Sequence, residues 1–459
     1  MKFRLIYILL LFVSLSATAQ SSSVLTFSEY MAYVKSYHPL VRQADLLISE
    51  SEAKLMKARG ALDPKIEVQG DEKNFSSKNY FSKLDAGIKI PLGYGVEVKG
   101  GYSNNAGYYL DPESTTPEQG LYALGVKASL LRDLLTNERM AMIKAAGIYQ
   151  DQAAVKQKLL VNDIVLEASN AYFFWLKSYL EQEVYRQFYA NSEQRFKAVK
   201  KSFEMGDKPA IDTLEARINV NKRSLQLEKA KLDLVKAGLK MTAYIWIGDT
   251  PADLSASMIP DKELTDKIDA VLAMAESSAT VLSVHPKLIK LGLDSDVLEL
   301  EQRLKRNNLL PRLDVQYNLL TQPVGNTEFI NTDNYKLGVS MSMPLFYRKE
   351  RAELNLVKYK MERVEYERSA VSTVLSNKVK ASEAEIDSYY EQRRIARVLN
   401  QDQNILLDGE ERKFNMGESS LFLVNSRESK LIDSQLKLVD LNYRLLFAKA
   451  QLFNLRGGR

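Results

Sequence analysis

Two histidines, His38 and His285, are the only side chains of this 459-residue sequence whose ordinary titration falls near neutral pH. Each stands directly before a proline, in His38-Pro39 and His285-Pro286. One histidine per segment cannot build a metal cluster, so both read as structural or capping residues at a helix start. No cysteine occurs, which removes thiol nucleophiles, thiolate zinc sites, disulfides and the cysteine that would carry a lipid. Gly93 and Gly95 around Tyr94 read as a hairpin turn and not as a phosphate loop. No nucleophile elbow and no carboxylate pair in an acid-base setting is found. Trp175 and Trp246 fall on helical stretches and read as packing residues. The 63 basic and 58 acidic residues are interspersed, so nucleic-acid binding has no support. The chemistry expected is therefore none: no enzyme, no metal and no cofactor.

The elements that carry these residues are unusual. Residues 1–19 run from Lys2 and Arg4 through an apolar stretch to Ala17-Thr18-Ala19, the order of a secretory signal, with cleavage expected after Ala19. Beyond it, proline and glycine are sparse and Ala, Leu, Glu, Lys, Gln and Arg dominate, which points to long helices. No later apolar stretch reaches the roughly 18 residues of a helical span, so only a β-barrel could cross a bilayer.

The chain is also duplicated. His38-Pro39 returns as His285-Pro286, and Pro64-Lys65-Ile66-Glu67-Val68-Gln69 returns as Pro311-Arg312-Leu313-Asp314-Val315-Gln316. Leu124-Gly125-Val126 answers Leu337-Gly338-Val339, and Phe203-Glu204-Met205-Gly206 answers Phe414-Asn415-Met416-Gly417. Two repeats follow, residues 20–260 and 261–459, each read as helix, strands, long helix, turn and return helix. In the first, strands fill about 64–130, the long helix 132–205 and the return helix 210–247. In the second, strands fill about 311–343, the long helix 346–416 and the return helix 420–453. Each long helix would extend about 100 Å at ~1.5 Å per residue. The segments Ser28–Arg59 and Thr265–Asn308 supply the remaining short helices.

Apolar residues recur at sevens: Leu159, Leu166, Phe173 and Leu180 going out, Ile218, Leu225, Leu232 and Leu239 coming back, and Val424, Leu431, Leu438, Leu445 and Leu452 in the second repeat. That period predicts coiled-coil-like packing of neighbouring antiparallel helices. In the strands, Ile88, Ile90, Val339, Met341 and Met343 share one face, while Lys65, Glu67, Arg312 and Asp314 share the other. A soluble sheet with one wet face fits that alternation as well as an outer-membrane barrel does. The long helices of an exported chain offer nothing else on which to bury a sheet, which favours the barrel. Edges are intolerable in lipid, so several chains must share it.

The duplicated order, the start Tyr37-His38-Pro39-Leu40, the ending Met341-Ser342-Met343-Pro344-Leu345-Phe346 and the Phe-x-Met-Gly turns together resemble the TolC-like outer membrane efflux protein family. The resemblance covers essentially all of the mature chain. It implies a mainly α fold with a membrane β-barrel portion: a homotrimer whose helices form a periplasmic tunnel, capped by one shared barrel in the cell outer membrane. It implies a passive conduit for efflux or type I secretion, served by a periplasmic adaptor and an inner-membrane pump. The turns Met205-Gly206-Asp207 and Met416-Gly417-Glu418 would then be adaptor-docking tips, and Asp212 and Glu215 a periplasmic gate. The places equivalent to those carboxylates after Gly417 are Leu423 and Ser426, a departure from family members with a second carboxylate ring. Another departure is the extra strand pair around 87–101, which either joins the barrel or projects as an external hairpin. The competing reading of the whole chain is a periplasmic coiled-coil scaffold without a pore.

Overall fold

The computed structural model describes residues 24–134, 136–253, 258–272, 284–322 and 332–458. The expected signal segment lies outside them. Helices dominate: α1 Phe27–Tyr37, α2 Pro39–Arg59, α3 Glu138–Glu204, α4 Ala210–Thr242, α5 Leu264–Val271, α6 Pro286–Asn307, α7 Arg348–Asn415 and α8 Leu421–Leu455. The strands are β1 Val24–Leu25, β2 Lys65–Phe75, β3 Lys78–Gly93, β4 Val96–Ala106, β5 Leu121–Ser129, β6 Trp246–Ile247, β7 Thr250–Pro251, β8 Ile259–Pro260, β9 Arg312–Thr321 and β10 Tyr335–Ser342. The chain divides into two compact units.

The first unit holds residues 1–44, 159–282 and 374–459, of which those named above are described. Its core forms where α1 lays Phe27, Tyr30 and Val34 against Tyr172, Phe173 and Trp175 of α3. The phenols lock this packing: Tyr30 donates to the carbonyl of Ala168 at 3.1 Å and Tyr172 to that of Leu25 at 2.6 Å. Burial pushes both phenol pKa values up, so each stays a hydrogen-bond donor at any physiological pH. β1 pairs in parallel with β8 beside this core. Helix α1 starts in a capping box: Thr26 Oγ1 accepts from the Glu29 amide at 3.2 Å while Glu29 accepts from the Thr26 amide at 3.0 Å.

The second unit holds residues 45–158 and 283–373. Its centre is one six-stranded antiparallel sheet in the order β10-β9-β5-β4-β3-β2.

The helix expected over Ser28–Arg59 is two helices, broken at His38 (φ −63°, ψ 130°). Pro39 forces its predecessor out of the helical region, which the sequence carried in plain view. The expected segment Thr265–Asn308 likewise contains two helices, α5 and α6, with residues 273–283 outside the described set. The return helix expected to reach Ile247 ends at Thr242, where a short hairpin of β6 and β7 takes over. The long helices start later than expected, at Glu138 and Arg348.

Candidate functional site

The sheet separates its side chains by parity. Ile66 stands opposite Ile88 and Val68 opposite Ala86. One apolar row, Ile90, Val98, Val126, Tyr317 and Leu337, crosses five strands through direct partners. Val315 with Val339 and Leu313 with Met341 continue that face. The apolar face lies bare: Ile66 is 78% exposed and Val339 63%. A bare apolar sheet face costs free energy in water unless a partner or a bilayer covers it. The opposite face is polar and self-compensating. Glu67 pairs with Lys89, Lys127 with Asp314 at 3.2 Å and Arg312 with Asp314 at 3.2 Å. The face assignment expected for Ile88, Ile90, Val339 and Met341 matches the observed parity, and so does that for Lys65, Glu67, Arg312 and Asp314; Met343 lies just past the end of β10. Among the described residues β2 pairs only with β3, and β10 only with β9, so both outer strands present open edges.

The two Phe-x-Met-Gly turns close alike. Gly206 donates its amide to the Phe203 carbonyl at 2.9 Å and Asp207 to that of Ser202 at 2.9 Å. In the second turn Gly417 donates to Phe414 at 3.1 Å and Glu418 to Lys413 at 2.8 Å. These are the paired backbone bonds that end a helix on a left-handed residue, and Gly206 (φ +84°) and Gly417 (φ +79°) supply it. The turns also meet. Lys208 stands 4.6 Å over the Phe414 ring, and Phe414 packs on Val199, Ala216 and Leu421. Met205 and Met416 stay exposed.

Asp212 sits in the first turn of α4 and Glu215 one turn on. Glu215 accepts from Asn425 Nδ2 at 3.2 Å, and Asn219 Nδ2 donates to Asn425 Oδ1 at 2.7 Å. Of the gate candidates, Glu215 is thus tied, within one chain, to the other return helix.

Two turns further along lies a cluster that sequence reasoning missed. The Glu428 side chain, 0% exposed, accepts from Arg195 at 2.6 Å and from Arg223, itself 2% exposed, at 3.1 Å. Arg195 also donates to Glu411 at 2.7 Å, and Arg223 to Ser429 at 3.0 Å. The four charged residues come one each from α3, α4, α7 and α8. A signal existed: Glu428 lies four residues after Val424 and three before Leu431, on the buried face of α8. A charge there demands partners.

The heptads divide. On α8, Val424, Leu431, Leu445 and Leu452 are buried as expected. On α4 the buried stripe is Ala216, Arg223, Ala230 and Ala237. The packing expected of Ile218, Leu225, Leu232 and Leu239 against neighbouring helices is not made within one chain: all four are exposed, Leu225 at 74%. Small residues let α4 lie close to its neighbours in the chain, which turns its large apolar residues outward.

His285 caps α6, its Nδ1 accepting from the Lys287 amide at 3.1 Å. His38 ends α1 and stacks on Tyr244 with ring centroids 5.4 Å apart. Burial lowers the pKa of both. Among the described residues no group of three or more His, Cys, Asp or Glu is arranged to hold a metal ion, and no helix is long and apolar enough to cross a membrane.

Residues 280–458 match the outer membrane efflux protein family, and the resemblance read from the motifs stands. Solved structures share the fold over nearly the whole chain. CusC, a transmembrane channel, superposes with a TM-score of 0.68 at 13% identity over 94% of this chain and 91% of its own. The outer membrane channel MtrE of Neisseria gonorrhoeae in its open state gives 0.68 at 12% identity over 94% and 88%. The outer membrane protein VceC of Vibrio cholerae gives 0.66 at 13% over 94% and 95%. No curated protein matches the sequence significantly.

Proposed function

We propose that this chain is one subunit of a homotrimeric outer-membrane conduit of a tripartite efflux or type I secretion system. The observation that carries the reading is incompleteness. A lone chain leaves a bare apolar sheet face with two open edges in one unit, and the exposed stripe Ile218, Leu225, Leu232 and Leu239 in the other. Open edges are closed by copies of the same strands, an apolar outer face by lipid, and an apolar heptad stripe by a neighbouring helix. The helices then line a periplasmic tunnel, and an inner-membrane pump supplies the energy. A periplasmic coiled-coil scaffold would use the heptads but would leave the sheet face in water, so the conduit is favoured.

The periplasmic adaptor docks on the tips Met205-Gly206-Asp207 and Met416-Gly417-Glu418. There exposed methionines offer adaptable apolar contact beside turns fixed by their glycines. Asp212 and Glu215 act as the gate, Glu215 by holding the return helices together near the tip through Asn425. Replacing Glu215 by Ala releases Asn425 and is expected to raise the open probability of single channels, whereas unchanged gating would remove Glu215 from the role.

The deciding test is the mass of the protein in mild detergent by light scattering, with conductance in a planar bilayer. A trimer with stable pores is expected. A detergent-indifferent monomer or dimer without conductance would overturn the conduit in favour of the scaffold.

A further inference from the structure

The geometry points to a wider barrel than the duplicated unit alone would build: the hairpin β3–β4 forms part of the membrane wall, so that three copies close about eighteen strands. This rests on the trimeric conduit reading and adds to it the wall's composition and the partner edges that close it.

The repeats locate the insertion. In the second repeat β9 and β10 pair directly. Their first-repeat counterparts by motif, β2 at Pro64-Lys65 and β5 at Leu124-Gly125-Val126, do not pair; β3 and β4 stand between them. A hairpin projecting from the membrane would have left β2 beside β5. Instead β3 pairs with β2 on one side and with β4 on the other, and β4 pairs in register with β5 from Val96 to Ser103.

The inserted strands also obey the wall's chemistry. Ile88, Ile90 and Val98 continue the apolar face, while Asp85, Lys89 and Lys99 continue the polar one. Tyr102 of the insertion stands opposite Tyr122 of β5, ring centroids 4.9 Å apart, an aromatic pair shared by inserted and repeated strands. On the polar side Gly87, Gly101 and Ala123 form a row of minimal side chains, which lets the sheet curve toward that side. Because all six strands alternate in direction, β2 and β10 run opposite ways, and β10 of one copy fits β2 of the next as an antiparallel partner. Three sheets of six make eighteen strands, against twelve from sheets of four. Barrel diameter grows roughly linearly with strand number, so the mouth is about one and a half times as wide.

The chain has no cysteine, so single-cysteine reporters need no background changes. Variants I88C, K89C, V98C and K99C, with V339C on β10 as reference, are labelled with a fluorophore. Their assembled oligomers are placed in phosphatidylcholine vesicles and quenched by nitroxide lipids or by aqueous iodide. Several-fold stronger lipid quenching at 88, 98 and 339, with iodide favoured at 89 and 99, is expected. Microscopy of the unmodified protein is expected to count eighteen strands, a readout that does not depend on any variant assembling. Iodide quenching at all four hairpin sites with lipid quenching kept at 339, or a wall of twelve strands, would overturn the wider barrel and leave the conduit intact. An aqueous signal at 339 as well would overturn both.

Discussion

At the scale of single residues, the costs of burial decide most of what can be tested. Glu428 has two guanidinium partners and no exposed side-chain surface. Glu428→Ala leaves the buried Arg223 without a carboxylate, while Arg195 keeps Glu411, and breaking such a buried pair costs about 3–5 kcal/mol. Chemical denaturation of the purified protein should show that loss, while Glu428→Leu combined with Arg223→Met should recover most of it. His285 gives a pH effect. Its capping nitrogen accepts a hydrogen bond only when unprotonated, and burial lowers its pKa below the ordinary 6.5. The unfolded chain therefore takes up the proton more readily than the folded one. The cap's contribution is complete above pH 6.5 and is lost as the pH falls through the lower folded value. Hydrogen exchange at the start of α6 should accelerate on acidification, and His285→Asn, which caps without titrating, should flatten that dependence.

Elements show how far a sequence reaches. The alternation of the strands was legible because a period of two is local: Ile88 and Ile90 declare their face without knowing their neighbours. The helix break at His38 was signalled just as locally, by Pro39, but the segment Ser28–Arg59 was read through as one helix. The return helix α4 was read with the right period, but the sequence did not say which helix would cover it. Two interleaved stripes of seven run along it, one of Ala216, Arg223, Ala230 and Ala237 and one of Ile218, Leu225, Leu232 and Leu239. Hydrophobicity selects the second, whereas the chain's own packing takes the first. Periodicity names a face but not the molecule that covers it. The buried position of Glu428 was legible from its place in the α8 stripe, but its arginine partners, more than 200 residues away in sequence, were not. A prediction belongs to this level: Leu225→Glu places a charge in the outward stripe without touching the chain's own packing. Circular dichroism should stay unchanged while light scattering in detergent shifts from trimer to monomer. A variant that stays trimeric would remove α4 from the interface between copies.

For the whole molecule, comparison and physics agree on a fold while leaving different marks. The similarity of CusC, MtrE and VceC lies in the fold, at 12–13% identity, so the shared feature is an arrangement of long helices and a sheet and not a set of side chains. On the trimeric-conduit reading the arrangement is completed by copies, and that has a consequence for how the protein would reach a membrane. A single sheet with bare edges cannot dwell in hydrocarbon, where each unpaired backbone group costs several kcal/mol, and it cannot linger in water without adhering to other edges. Association and insertion must then be one kinetic event. The rate of entry into vesicles should climb more steeply than linearly with protein concentration, and a first-order rate would show that single chains insert and assemble afterwards. Newly exported chains would spend their waiting time in a shielded state, so that crowding in the periplasm, and not the bilayer, sets the pace at which channels appear.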